Sequence, residues 1–144
     1  MKPEEFTTYQ TGVLQGRAYR VFRTFMSEHL KPHDLTVMDW YVLGLAFDYS
    51  GSGGAKVGQL AEVLNVEISL ITTTLNKLEP QGVVERIEDE KDSRARRVVT
   101  TRKGEKKIKK IEKQLRKELD EWLEGVHDRK LAAYISTLQH LAKK

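Results

Sequence analysis

Two short helical segments separated by three residues constrain the fold of this 144-residue chain more than any other feature. The first segment covers residues 57–64 and the second begins near residue 68, with Asn65-Val66-Glu67 between them. The second segment repeats apolar residues at helical spacing: Ile68, Ile71, Leu75 and Leu78. That spacing predicts one buried face and one outer face. Two short helices joined in this way are typical of a helix-turn-helix.

A short β-ribbon is predicted after the second helix, which Gly82 ends with Pro80 in its last turn. Residues 83–87 and 97–100 are short runs rich in β-branched side chains, which favour strands. The polar stretch from Glu88 to Arg96 lies between them and predicts a long charged loop.

Longer helices are predicted on both sides of this central region. Residues 4–29 show the periodicity of a helix, which Pro32 ends. Thr36 is the expected cap of the next helix, and the glycine-rich residues 50–54 must end it. Thr101 is the expected cap of a long helix that stops at Gly125, and Asp128 the expected cap of the last helix. The long helix has an apolar stripe that consists of Ile108, Ile111, Leu115, Leu119 and Trp122. The last helix is expected to face inward with Leu131, Ile135, Leu138, Leu141 and Ala142.

Composition narrows the classes of function. The chain has 39% apolar and 32% charged residues, which suits a folded domain, and its lack of cysteine excludes disulfides and thiolate metal sites. The apolar run 42–47 is far shorter than the roughly 20 residues of a membrane-spanning helix, and residues 1–5 do not resemble a signal peptide. We therefore expect a cytoplasmic protein.

No catalytic or cofactor-binding pattern is found. The sequence contains no glycine-rich phosphate loop, no G-x-S-x-G and no H-E-x-x-H motif. His29 and His33 have the spacing of metal ligands on a helix, but Pro32 between them argues against one continuous face. We expect no enzyme, no cofactor and no metal.

Positive charge is concentrated in one segment. Residues 91–117 contain 13 Lys and Arg against 3 Asp and Glu, although the whole chain has a net charge of only +4. A local basic block is typical of proteins that bind an anionic partner, most often nucleic acid. The alternative is a solvated, lysine-rich helix.

The outer face of the second short helix is the expected DNA-reading surface. At about 100° per residue, the face opposite Ile71 is small and polar; its candidate contact residues are Ser69, Thr72, Thr73, Asn76 and Lys77. Asn76 is the best candidate for a two-bond contact, preferably to adenine, and Lys77 for a phosphate contact. The alternative is an ordinary solvated helix face.

The charged loop is the second candidate contact. It supplies Lys91, Arg94, Arg96 and Arg97, and Lys103 follows at the start of the next helix. Arginine suits both phosphate and the narrow minor groove. Asp92 is expected either to pair with Arg94 or to accept hydrogen bonds from loop amides. The alternative is a mobile charged hairpin.

These residues resemble the MarR family of bacterial transcription regulators over roughly residues 35–104. The family's second helix has a pattern similar to Leu35-Thr36 followed by Trp40 and Leu43. Its helix-turn-helix and first wing strand are similar to the stretch from Leu60-Ala61 through Arg86. The most specific part is Asp92-x-Arg94-Ala95 followed by Val98, Thr101 and Gly104, which is similar to the wing signature. Two residues depart from this pattern: Thr100, where the family usually has an apolar residue, and Pro80.

The resemblance implies a homodimer that binds a pseudo-palindromic operator, with the reading helix in the major groove and the wing near the minor groove. Ser69, Thr72, Thr73 and Asn76 would face bases or backbone, Arg94 would be the wing-tip arginine, and Asp92 would orient it. It also implies a crevice between the dimer helices and the DNA-binding lobe for a small aromatic or phenolic anion, a ligand whose binding releases DNA.

Together these observations predict a mainly α fold with a small β-wing. Residues 1–34 are expected to form an N-terminal dimerisation helix, 35–101 a winged helix-turn-helix, and 102–144 the helices that complete the dimer. The expected interface comprises Phe6, Tyr9, Val13, Trp122, Leu131, Tyr134, Ile135 and Leu138. The predicted function is a DNA-binding repressor; the alternative is a winged-helix module that binds a protein.

Overall fold

The computed structural model describes residue 2 and residues 5–143, and it is mainly α-helical with a small antiparallel sheet. The helices are α1 (Thr8–Leu30), α2 (Val37–Ser50), α3 (Val57–Leu64), α4 (Ile68–Leu78), α5 (Arg102–Trp122) and α6 (Asp128–Leu141), with a 3-10 turn at Lys31–His33. The strands are β1 (Ala55–Lys56), β2 (Val84–Glu88) and β3 (Arg96–Thr100). Residues up to Glu112 form one compact unit and those from Lys113 a second.

Helix α1 begins later than the sequence predicted. Thr7 caps it: the Thr7 hydroxyl accepts a bond from the Gln10 amide at 3.2 Å, and the Gln10 side chain accepts one from the Thr7 amide at 3.0 Å. This reciprocal cap fixes the helix start at Thr8. Residue 4, where the helix was expected to begin, lies outside the described residues.

Helix α2 has the predicted cap. The Thr36 hydroxyl accepts from the Asp39 amide at 3.1 Å, and Asp39 Oδ2 accepts from the Thr36 amide at 2.8 Å. The helix ends at Ser50, before the glycine-rich turn, as expected. Asp39 is buried, which the sequence pattern did not indicate.

The helix-turn-helix is confirmed, with one change at its end. Helix α3 covers the predicted residues, and Asn65 turns the chain with a φ of 52°. Helix α4 ends at Leu78, so Pro80 follows the helix instead of forming its last turn. Proline has no amide hydrogen and cannot continue the helical ladder, whose last bond joins Glu79 to Leu75.

The buried stripe of α4 is one residue shorter than predicted. Ile71, Leu75 and Leu78 are fully buried, but Ile68 is 57% exposed. Helical side chains lean toward the N-terminus of their helix. The side chain of Ile68, the first residue of α4, therefore leans beyond the first turn, where no helical residue remains to pack on it.

The predicted ribbon is the larger part of a three-stranded sheet. Strand β3 lies in the centre, and Arg86 of β2 and Ala55 of β1 both align with Val98 on β3. The two-residue strand β1 was not predicted because such a short pairing has no sequence periodicity. It joins the turn after α2 to the wing.

The start of α5 is as predicted. Thr101 caps it by accepting from the Gly104 amide at 3.0 Å, and its hydroxyl donates to the Gly82 carbonyl at 2.5 Å. A β-carbon on Gly104 would overlap the backbone of Val83, so the helix approaches the turn before β2 as closely as glycine allows. Ile108, Ile111 and Leu115 are buried, whereas Trp122 is 46% exposed.

Helix α6 differs from expectation in two ways. Its cap is His127, whose Nδ1 accepts from the Arg129 amide at 3.2 Å; Asp128 is instead the first helical residue. The face expected to point inward contains no buried residue within the chain. Ile135 is 53% exposed and Leu138 38% exposed. The predicted apolar stripe exists, but this chain alone does not bury it.

Candidate nucleic-acid interface

The outer face of α4 carries small polar side chains, as predicted. Ser69, Thr73 and Asn76 are exposed, and Thr72 is half-buried. The Thr73 hydroxyl donates to the Ser69 carbonyl at 2.9 Å. The oxygen of Thr73 remains able to accept a bond from outside the helix. Thr74, the next residue, is buried and bonds to the Leu70 carbonyl at 2.8 Å, so it belongs to the interior.

The carboxamide of Asn76 already makes one hydrogen bond within the protein. Its Oδ1 accepts a hydrogen bond of 3.0 Å from Nη2 of Arg86, on β2. Arg86 Nε also lies 3.7 Å from Glu79 Oε2, just after α4. The second lone pair of Oδ1 and the amide N–H groups remain available to a base, so the adenine contact stays a prediction.

Lys77 is paired with a carboxylate within the protein. Its Nζ lies 2.5 Å from Oδ2 of the buried Asp39, the residue that also caps α2. The lysine side chain is 41% exposed. The ion pair connects α4 to the start of α2. The exposed ammonium group of Lys77 retains donors, so the phosphate contact expected for it stays a prediction.

Arg97 also has a role inside the protein. Its Nε bonds to Asp89 Oδ2 at 2.8 Å, and its Nη1 bonds to the carbonyl of Gly54 at 2.9 Å. Lys56 Nζ lies 3.8 Å from the same Asp89 oxygen. We call Asp89, Arg97, Lys56 and Gly54 the wing base. These contacts join the wing to β1, so Arg97 has a structural role, and its contact with DNA stays a prediction.

Asp89 is the residue on which the wing base converges. It is buried, and it was not predicted because it lies in an acidic run, Glu88-Asp89-Glu90, with no distinguishing pattern. Its pKa lies below the usual value. The largest cause is the hydrogen bond from the Lys91 amide, at 2.8 Å, and the bond from Arg97 acts in the same direction. Burial opposes both.

Three other cations of the loop are available. Lys91, Arg94 and Arg96 are exposed, and their side chains make no hydrogen bond or ion pair with any residue the structure describes. We call them the wing tip. Asp92 Oδ1 accepts from the Arg94 amide at 3.0 Å, so of the two roles predicted for Asp92 the structure has the loop-amide bond. Asp92 thus shapes the backbone that carries Arg94.

Lys103 lies at the start of α5 and bonds to the carbonyl of Gln81 at 2.8 Å. The residue is exposed, so its ammonium group retains donors that can face an anion. The start of α5 also contains Arg102 and Lys106, both exposed. The basic block therefore continues from the wing into α5.

An open cleft lies in the same unit, between α2, α3 and the first turns of α5. Its volume is about 520 Å³, and its lining includes Trp40, Tyr41 and Phe47 together with Asp48 and Glu112. Burial raises the pKa of Tyr41, the Tyr19 hydroxyl adds to that shift, and Arg23 opposes it. Tyr41 is therefore a neutral phenol that can donate one hydrogen bond.

Among residue 2 and residues 5–143, no cluster of three His, Cys, Asp or Glu side chains is arranged to hold a metal. The His29 Nδ1 instead lies 2.8 Å from the Phe25 carbonyl. No helix in the described part of the chain has the length and hydropathy needed to cross a membrane.

A known protein family matches the region of the helix-turn-helix and the wing. The MarR family model matches residues 50–95, from the end of α2 through the wing loop. A MarR family regulator from Silicibacter pomeroyi is 27% identical, covers 99% of this chain and 93% of its own, and superposes with a TM-score of 0.80.

Two further solved structures share the fold. CouR from Rhodococcus jostii RHA1, solved with p-coumaroyl-CoA, is 24% identical over 92% of this chain and 91% of its own, with a TM-score of 0.80. A mutant MarR from E. coli, solved with operator DNA, is 22% identical over 90% of this chain and 91% of its own, with a TM-score of 0.76. The MarR family model thus matches residues 50–95, and the chain shares the winged helix-turn-helix fold of these structures over at least nine-tenths of its length.

Proposed function

We propose that this protein is a sequence-specific DNA-binding transcription regulator that acts as a homodimeric repressor in the cytoplasm. The observation that carries the proposal is the combination, in one compact unit, of an exposed polar face on α4 and unengaged cations at the wing tip. Base edges are read by small polar side chains on a helix, and phosphates attract cations.

In this proposal, α4 enters the major groove and the wing approaches the neighbouring minor groove. Ser69, Thr72, Thr73 and Asn76 lie toward bases or backbone, while the wing tip and Lys103 lie toward phosphates. A dimer held on its operator excludes other proteins from the same DNA, so repression is the expected outcome.

The dimer is proposed from apolar surface that the chain leaves uncovered. Tyr9 is 70% and Val13 65% exposed at one end of α1, and Tyr134 is 55% exposed on α6. The remaining interface candidates are Phe6, Trp122, Leu131, Ile135 and Leu138. Large exposed apolar stripes usually mark an interface. We therefore retain the division into an N-terminal dimerisation helix (1–34), a DNA-binding domain (35–101) and C-terminal dimerisation helices (102–144) as part of the proposal.

Selection from a random duplex pool tests the DNA-binding function directly. The full chain should enrich an inverted repeat, because two symmetric subunits present two copies of α4. Affinity for that repeat should fall steeply with salt, by about 0.9 log units per log unit of salt for each phosphate neutralised. An unenriched pool with a flat salt response would favour the alternative of a protein partner.

Sedimentation tests the dimer. At micromolar concentration the chain should sediment as a dimer, since obligate interfaces of this kind bury about 2,000 Å² or more. Val13→Asp should shift the equilibrium toward monomer, because it places a charge in the apolar stripe. Lys2→Asp, a change of charge outside that stripe, is the control. A wild-type monomer at this concentration would overturn the dimer proposal.

A small aromatic ligand is proposed for the cleft between α2, α3 and α5. The aromatic side chains of Trp40, Tyr41 and Phe47 suit a ring, and about 520 Å³ is a common size for a ligand site. Asp48 and Glu112 are acidic, and the lining residues include no lysine or arginine among the described residues. A neutral phenol therefore suits the cleft better than an anion.

A binding measurement with phenol and benzoate tests this ligand class. Phenol should raise the Tm of the wild type more than benzoate at equal concentration. Leu45→Trp, which fills the cleft from α2, should remove the phenol effect. If benzoate stabilises the protein more than phenol, the proposed class is wrong.

A further inference from the structure

We propose that Leu70 reads the methyl group of a thymine in the major groove. This inference rests on the proposed function and deepens it, because it assigns one base of the operator to one side chain of α4. Leu70 was not among the expected DNA-contact residues, all of which are polar or charged.

Leu70 lies outside the buried stripe of α4. At about 100° per residue, it is about 100° from Ile71 and about 60° from Thr73, which places it at the edge of the outer face. Its side chain is 41% exposed, whereas Ile71 and Leu75 are fully buried. A single exposed leucine is common on protein surfaces. Its neighbours and its place in the helix are what point to a contact with DNA.

Thr73, one turn after Leu70, adds a second apolar group. Its hydroxyl donates to the Ser69 carbonyl at 2.9 Å, so the hydroxyl hydrogen is used within the helix. Thr73 is exposed, and its γ-methyl group and its acceptor oxygen are what it offers to a base. Residues three positions apart are neighbours on a helix surface. The side chain of Leu70 and the methyl group of Thr73 therefore present apolar surface to the same partner.

The composition of α4 favours DNA over a protein as that partner. The helix contains no Asp or Glu that would repel phosphates. Leu70 is its third residue, and the first residues of a reading helix are those that contact base edges. A protein-binding surface would group several large apolar side chains. Here the exposed Ser69 and Thr73 flank Leu70, and the exposed Ile68 lies about 160° away around the helix.

Thymine is the base that suits an aliphatic side chain in the major groove. It presents a methyl group at C5, whereas cytosine has a hydrogen there and the purines present hydrogen-bonding atoms. A leucine against those polar atoms would remove water from them without replacing its hydrogen bonds, which is unfavourable. Against the thymine methyl group, leucine and base both remove apolar surface from water, which is favourable.

Replacement of thymine by uracil removes this methyl group and leaves every hydrogen-bonding atom of the base in place. The operator selected by the full chain is synthesised with uracil at one thymine at a time, and its affinity is measured by fluorescence anisotropy. At one thymine of a half-site, uracil should weaken binding about fourfold, which corresponds to the roughly 0.8 kcal/mol of one buried methylene-sized group. In Leu70→Ala, thymine and uracil at that position should bind equally.

Two further variants test whether the effect belongs to Leu70. Val63→Ala truncates another exposed aliphatic side chain, on α3, and should keep the fourfold difference. Thr73→Ser keeps the hydroxyl and removes the methyl group, so it should reduce the difference less than Leu70→Ala does. If Thr73→Ser abolishes the difference and Leu70→Ala retains it, Thr73 reads the thymine and the assignment to Leu70 is wrong.

The wild-type protein provides a test that does not depend on a variant folding. With cytosine in place of that thymine, methylation of the cytosine at C5 should raise affinity about fourfold, because it returns a methyl group to the same place in the groove. An operator whose thymines all tolerate uracil contradicts the inference, and so does a 5-methylcytosine that binds no tighter than cytosine. If no sequence is enriched at all, the proposed function fails, which is a different outcome.

Discussion

The tip and the base of the wing contain the same kinds of side chain but use them differently. At the wing base, Arg97 is bonded to a buried carboxylate and to a backbone carbonyl. At the wing tip, Arg94 is exposed and its side chain has no partner among the described residues. An arginine in a basic segment can therefore either stabilise the fold or remain available to a ligand. Arg94 and Arg97 have these different roles although they are only three residues apart.

The most destabilising substitution is expected where α5 meets the turn before β2. Gly104→Ala places a β-carbon on the backbone of Val83, which cannot move without shifting β2. The free energy of unfolding should fall by about 3 kcal/mol or more, the upper range for overpacking. Chemical denaturation measures it. Gly58→Ala, a helical glycine with open space around it, is the control and should not destabilise the protein. Equal effects would show that α5 does not depend on this close approach.

The next prediction concerns the ion pair between Asp39 and Lys77, which connects α2 to α4. Asp39→Ala removes the side chain that accepts from the Thr36 amide at the start of α2, and with it the partner of Lys77, so the free energy of unfolding should fall by about 2 kcal/mol. Asp48→Ala, an exposed carboxylate on the same helix, should change it by less than about 0.5 kcal/mol. A small effect of Asp39→Ala in urea denaturation would mean that Lys77 does not position α4.

A pH effect is expected at the wing base. Because the folded-state pKa of Asp89 lies below its usual value, its charged form stabilises the protein above the unfolded pKa, near 4. That contribution is lost as the pH falls through the folded pKa. The difference in Tm between wild type and Asp89→Asn should therefore shrink as the pH falls below about 4. Glu90→Gln, in the same exposed loop, should leave the Tm unchanged at neutral pH. A Tm difference that is constant with pH would contradict this role for Asp89.

The smallest effect on stability, and the clearest on DNA, is expected at the wing tip. Arg94→Ala should leave the Tm unchanged but weaken binding to every duplex. It should also reduce the salt slope by about 0.9 for each phosphate that the variant no longer neutralises. Arg97→Ala should lower the Tm, because it leaves Asp89 without its guanidinium partner. If the two variants behave alike in both measurements, the distinction between tip and base is wrong.

Much of the fold followed from local chemistry. The boundaries of α3, the cap of α2 by Thr36 and the cap of α5 by Thr101 were predicted because each depends on residues three or four positions apart. The short strand β1 and the cap by His127 were not predicted, since a two-residue pairing and a histidine cap have no strong pattern. The apolar stripe of α6 was recognised, but its direction was not, because periodicity marks a face without saying what covers it.

The candidate site also combines features that the sequence predicted with features that it did not. Helical spacing and charge are properties of the linear chain, so the residue types on the outer face of α4 and in the charged loop could be predicted. The folded chain was needed to show that Lys77 pairs with Asp39, Arg97 with Asp89 and Arg86 with Asn76. Those partners lie 38, 8 and 10 residues apart, across different elements. The physical reason is that a charged side chain reaches whatever the fold places beside it, and that neighbour is set by strand register and helix packing.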